Sequence, residues 1–186
     1  MINYSLPVKL TIDDEDFPIN KNGDFRVILD VICALNDTAL EEEERIFSAL
    51  CIFFDFNIPQ NIYEAYKQMA LFISCGEENC KTAPSKPLMD WEKDFNLIIP
   101  AVNKSLGYEV RSAEYLHWWT FMSGYMEIGK DCSFTYITAL RSKINKNIPL
   151  DKWEKRYLEE NKDLVLLPAK YTKEEEEFLN TLIGGE

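Results

Sequence analysis

A chain of 186 residues, 46% hydrophobic and 13% aromatic, carries enough apolar material for one ordinary domain over residues 1–186, and this composition excludes a disordered chain. A net charge of -12 disfavours a nucleic-acid partner, because such a surface repels phosphate. No apolar run approaches the ~20 residues of a membrane span and MINYSLPVKL lacks the basic-then-apolar order of a signal peptide, so a soluble, cytoplasmic protein is expected, with no membrane partner.

The first element is a hairpin. VKLTI (Val8 to Ile12) alternates apolar with polar, DDED (Asp13 to Asp16) follows, and FPIN (Phe17 to Asn20) returns, which predicts a short β-hairpin within residues 1–22. The next stretch, NKNGD, invites an EF-hand reading with Asn20, Asn22 and Gly23 at the third, fifth and sixth positions. That alignment fails because Pro18 and Leu29 fall where the loop needs carboxylates.

After Gly23 the periodicity is helical. Phe25, Ile28, Leu29, Ile32 and Leu35 recur at three- and four-residue steps behind a cap at Asp24; Ile46, Leu50 and Phe53 do so behind the acidic turn Glu41 to Glu44. Ile58 and Pro59 interrupt this, and Ile62, Ala65, Tyr66, Met69, Phe72 and Ile73 start a third helix that stops at Gly76. Residues 77–89 are polar, with Pro84 and Pro87, and mark a flexible internal linker.

DWEKDFNLIIPAVNKSLG follows, capped by Asp90, with Trp91, Phe95, Ile98, Ile99 and Val102 on one face and Pro100 expected to kink or divide it. Ser112 is the expected cap of the helix that holds YLHWWTFMSGY. There the apolar residues from Tyr115 to Met126 cover well over half the circumference, which places this helix in the middle of the fold. His117, the chain's single histidine, has only Thr120 and Glu114 as helical neighbours, without a nucleophile elbow or glycine loop, so packing explains it better than catalysis.

CSFTYITALRSKINKN gives a helix with Phe134, Ile137, Leu140 and Ile144 on one face. LDKWEKRYLEENKDLV gives a charged helix with Trp153, Tyr157 and Leu158 inside. The basic residues between Arg141 and Arg156 are the best candidate for a basic patch, but Asp151 and Glu154 interrupt them. YTKEEEEFLNTLIGGE gives a capped helix over residues 169–186 whose apolar edge of Phe178, Leu179, Leu182 and Ile183 leaves two expectations open: docking onto its own domain, or a peripheral helix with this edge as the candidate partner-binding surface.

Five cysteines (Cys33, Cys51, Cys75, Cys80, Cys132) without a secretory signal read as reduced thiols, with Cys33 and Cys51 as small core residues. Cys75 and Cys80 lack a second ligand pair, so no metal and no cofactor is expected. The expected core is built on Trp91, Tyr115, Trp118, Trp119, Met122 and Trp153. The fold class is mainly α: a compact multi-helix domain with a short N-terminal β-hairpin and a C-terminal helix.

FPINKNGDFRVIL, the proline-broken helix pair ending in FISCG, the polar linker, DWEKD, YLHWWTF and the run from Phe134 through LDKWEKRYLEENKDLV resemble, in that order, the phage gene-product-fifteen family. The resemblance covers nearly the whole chain and departs after Pro168. It implies a non-enzymatic tail assembly chaperone of a long-tailed phage or prophage, acting in the bacterial cytoplasm. Its implied partners are the tape measure protein and other tail proteins. The competing expectation is a tail-completion or head-tail joining subunit retained in the particle, which would form rings. An enzyme is not expected, since the acidic residues fall on outer helix faces and loops.

Overall fold

A computed structural model describes residues 5–77 and 86–168. The chain is mainly helical, with a two-stranded antiparallel hairpin followed by eight α-helices among the described residues. The helix expected at 169–186, and residues 78–85 of the expected linker, lie outside the described residues.

In the hairpin, β1 (Lys9–Ile12) pairs with β2 (Glu15–Pro18), Ile12 facing Glu15 across a two-residue loop. Asp13 and Asp14 both have positive φ, 50° and 65°, as a tight turn matched to strand twist requires. Only half of DDED is therefore turn. Asp16 is in the strand, where Thr11 Oγ1 donates to it at 2.8 Å and Lys9 pairs with it.

Residues Asn20–Gly23 form a 3₁₀ turn in which Lys21, Asn22 and Gly23 all have positive φ. NKNGD is thus a left-handed elbow from the hairpin into α1, and its Asn20 donates to the Ile52 carbonyl at 2.8 Å.

Contacts group the described residues into two compact units. The first holds residues 5–77 with His117–Trp119, and the second holds residues 86–116 with residues 120–168.

In the first unit α1 (Phe25–Leu35) packs on α2 (Glu42–Phe53), α2 on α3 (Ile62–Ile73), and β1 on α3. Asp24 caps α1 by accepting from the Arg26 N–H at 3.0 Å, and Glu44 returns to the Glu41 N–H at 3.0 Å at the start of α2. Asn61 does two jobs: its Oδ1 accepts from the Glu64 N–H at 3.1 Å, and its Nδ2 donates to Asp13 at 3.0 Å, tying the hairpin turn to the start of α3. Ile28, Leu50, Phe53, Ala65 and Met69 are fully buried, and Phe53 meets Phe72 edge-on at 5.5 Å. Cys33, expected inside, is exposed because it lies on the side of α1 away from Ile28 and Val31.

In the second unit three boundaries differ from expectation. α4 (Phe95–Leu106) starts behind Asp94 rather than Asp90, whose carboxylate instead accepts from the Glu92 and Lys93 N–H groups in the preceding turn. Pro100 does not divide α4, since the helix continues through it to Gly107 at φ 82°. Ser112 does not cap a helix: Val110–Ser112 is a single 3₁₀ turn, held where Asn103 Oδ1 accepts from the Val110 N–H at 2.8 Å, and α5 (Trp118–Met126) begins six residues later.

α6 (Ser133–Asn145) packs against α4. LDKWEKRYLEENKDLV forms two helices, α7 (Lys152–Glu160) and α8 (Lys162–Val165), with Asp151 accepting from Trp153 and Glu154 N–H groups at 2.8 and 2.9 Å. Gly124 permits the approach its size predicts, for a Cβ there would lie 2.7 Å from Leu106 Cγ.

Candidate functional site

His117, 2% exposed, has both ring nitrogens occupied. Its Nδ1 accepts from the Trp119 N–H at 3.1 Å, so the proton sits on Nε2, which donates to the Pro7 carbonyl at 2.9 Å. Burial pushes its pKa below the ordinary value, against the opposing pull of the Pro7 carbonyl. The ring is neutral, edge-on to Phe72 at 5.6 Å, and the His117 backbone bridges to Asp24. With neither nitrogen open to a substrate, this geometry positions chain segments.

The two tryptophans continue that role. Trp118 Nε1–H donates to the Ile73 carbonyl and Trp119 Nε1–H to the Phe72 carbonyl, each at 2.9 Å. These are last-turn carbonyls of α3, beyond the reach of the helix's own N–H groups, and that of Phe72 also accepts from the Cys75 N–H at 3.0 Å. WW is therefore a double cap on a helix end, completed where Gly76, at φ 84°, donates its N–H to the Leu71 carbonyl at 2.8 Å.

The expected core residues part company. Trp118 is buried; Trp119, Met122 and Trp91 are half-buried, Trp91 lying 5.0 Å from the Tyr125 ring. Tyr115 and Trp153 are exposed, contrary to expectation. Tyr115 precedes α5 rather than lying on it. On α7 the inward stripe is Glu154, Tyr157 and Leu158, and Trp153 is turned away from it; Glu154 pairs with Lys143 and Tyr157 meets Tyr136 edge-on at 5.0 Å. The partner-binding candidates Phe178, Leu179, Leu182 and Ile183 lie outside the described residues.

Sequence reasoning missed a buried ion pair. Arg141, read as part of a basic patch, is 4% exposed and grips Asp94, 0% exposed, with Nη1 at 2.6 Å and Nη2 at 2.9 Å. Its other donors reach the carbonyls of Leu88, Leu164 and Val165 at 3.0, 2.9 and 2.6 Å, so all five guanidinium N–H groups are satisfied. The signal was there: Arg141 lies four residues after Ile137 and three before Ile144, on the apolar face of α6.

The first unit also carries two surface grooves. One, of about 360 Å³, lies between the hairpin and residues Ile58 to Asn61, and its Asp13 is engaged by Asn61. The other, of about 290 Å³, is formed by Leu35, Asn36, Glu42, Arg45, Ile46 and Tyr66. Exposed aromatic side chains accompany them on the same helices, Phe47 on α2 and Tyr63, 78% exposed, on α3. Among the described residues no group of three His, Cys, Asp or Glu side chains is placed to hold a metal ion.

Residues 2–167 match the family model described as Bacteriophage Gp15 protein. The match stops next to Pro168, where the sequence resemblance also stops. No curated protein and no solved structure matches the chain. The chain belongs to the Bacteriophage Gp15 protein family.

Proposed function

We propose that this phage protein is a non-enzymatic tail assembly chaperone that keeps the tape measure protein soluble in the host cytoplasm until the tail tube assembles around it. The observation that carries the reading is the family match over residues 2–167, together with the tail-assembly role that the resemblance implies. Physical support comes from the surface. A net charge of -12 suppresses nonspecific self-aggregation, and carboxylates beside exposed Phe47 and Tyr63 suit basic amphipathic helices. The edge of Phe178, Leu179, Leu182 and Ile183 is proposed as part of the contact.

The test is co-expression with the tape measure protein. The full chain should bring it into the soluble fraction, and truncation after Pro168 or Leu182→Asp should reduce that rescue. A tape measure equally insoluble with and without the full chain overturns the reading. Rescue that survives truncation overturns only the assigned contact. Recovery of the protein in purified virions would instead point to a retained tail-completion or head-tail joining subunit.

A further inference from the structure

The inner face of the hairpin breaks its own pattern at one position. Leu10, Ile12 and Phe17 lie on one side of the β1–β2 ladder, as its register requires, and are buried or half-buried. Glu15, paired with Ile12, shares that side and is exposed. None of the salt bridges or side-chain hydrogen bonds among the described residues engages its carboxylate. A charge on the apolar face of a strand, without a compensating partner, calls for a functional reason.

Glu15 opens onto the groove between the hairpin and residues Ile58 to Asn61. The described lining of that groove carries two ionisable side chains, Asp13 and Glu15, both acidic, while Phe17, Ile58 and Pro59 supply apolar walls. Asp13 meets one neutral donor, the Asn61 amide at 3.0 Å, which leaves its charge uncancelled. The lysines carried by β1 and α3 are occupied elsewhere: Lys9 pairs with Asp16 on the opposite side of the hairpin, and Lys67 with Glu64. Two positions before Ile58 stands Phe56, 80% exposed at φ 63°, a conformation that bulky side chains avoid.

We propose that this groove receives a lysine or arginine side chain from a peptide segment of a partner protein. The cation lies between Asp13 and Glu15, its methylene stem runs along Phe17, Ile58 and Pro59, and a neighbouring apolar side chain of the same segment covers Phe56. Charge selects this occupant. A second copy of the chain is repelled by the net charge of -12, and residues 169–186 set Glu174 to Glu177 and Glu186 against Lys170 and Lys173. A free polyamine matches the carboxylates but leaves Phe56 uncovered. The contact is separate from the edge of Phe178, Leu179, Leu182 and Ile183 and does not rest on the tail-chaperone reading, since any partner offering such a segment satisfies it.

Fluorescence anisotropy of a dye-labelled synthetic peptide of alternating arginine and leucine, titrated with the purified full chain, tests this. The peptide should bind saturably, and its counterpart with citrulline for arginine, equal in shape but uncharged, should bind roughly tenfold more weakly or worse. Asp13→Asn combined with Glu15→Gln should weaken the arginine peptide by a similar factor, and Phe56→Ala should weaken it at unchanged charge. Asparagine at position 13 can still accept from Asn61 and tolerates the positive φ there, and unchanged circular dichroism checks the fold. Removing the same charge outside the groove, by Glu127→Gln with Glu159→Gln, should leave the affinity within roughly twofold, because exposed charges are screened. A peptide that does not bind overturns the proposal. So does an equal loss in the two charge-removing variants, which assigns binding to the general acidity of the chain. Affinity that Phe56→Ala leaves unchanged points to a free polyamine, and binding that appears only after truncation at Pro168 assigns the groove to the chain's own end; either overturns the proposal as well.

Discussion

Arg141 and Asp94, 47 residues apart in sequence, form a two-pronged ion pair from which water is almost wholly excluded. Removing one partner leaves a buried charge without compensation, so Asp94→Asn or Arg141→Met should cost about 3–5 kcal/mol. Replacing both with apolar residues should not restore stability, because the Leu88, Leu164 and Val165 carbonyls then lose their donor. Urea unfolding of the two single variants and the double variant checks this; full recovery in the double variant would reduce Arg141 to a mere counter-ion.

His117 predicts a pH dependence of known sign. Its folded pKa lies below the unfolded value of about 6.5, so the unfolded chain binds the proton more readily. Stability is therefore fully present above about pH 6.5 and is lost as pH falls through the lower folded pKa. Asp16, Glu64, Glu109 and Glu154 have lowered pKa values, Glu109 down to about 2 because Arg111 holds it, and their losses come in a more acidic window. Urea midpoints of the wild type and His117→Asn from neutral to acidic pH test the assignment: the loss that begins below about pH 6.5 should vanish in the variant.

The tryptophans should separate sharply. Trp118→Ala removes a buried indole and uncovers the Ile73 carbonyl, at a cost of about 3–5 kcal/mol. Trp153→Ala should change monomer stability by less than about 0.5 kcal/mol. Thermal melts at low protein concentration measure both; equal shifts would contradict their placement.

Two glycines should resist even a methyl group, for different reasons. Gly124→Ala meets Leu106 at 2.7 Å and should cost about 1–3 kcal/mol through overpacking. Gly23→Ala adds left-handed backbone strain at φ 75° to a 2.8 Å approach to Phe72, so it should be the more damaging of the two in the same melts.

Local signals carried much of this fold into view. Asp24 before an apolar repeat gave α1 its start, and the spacing from Ile62 to Gly76 gave α3 both its face and its end. What escaped depended on partners distant in sequence. Nothing near Ser112 announces that Asn103 will hold Val110, which ends helix formation there and delays α5 to Trp118. The role of His117 required Pro7, 110 residues earlier. Trp153 was misplaced for a different reason: apolarity placed it on the inner stripe, whereas Glu154, drawn inward by Lys143, set the rotation of α7. Both grooves likewise arise from tertiary neighbours, so no contiguous motif could reveal them.

The double cap on α3 also imposes an order on synthesis. Phe72 and Ile73 leave the ribosome well before the indoles that cover their carbonyls, since Trp119 lies 47 residues after Phe72. At bacterial and eukaryotic elongation rates of about 5–20 residues per second, that interval lasts roughly 2–9 seconds. During it the carbonyls of Phe72 and Ile73 have no indole N–H to meet, and the Pro7 carbonyl has no His117. Translation past Trp119 supplies the three side chains that close the first unit over the end of α3 and over Pro7.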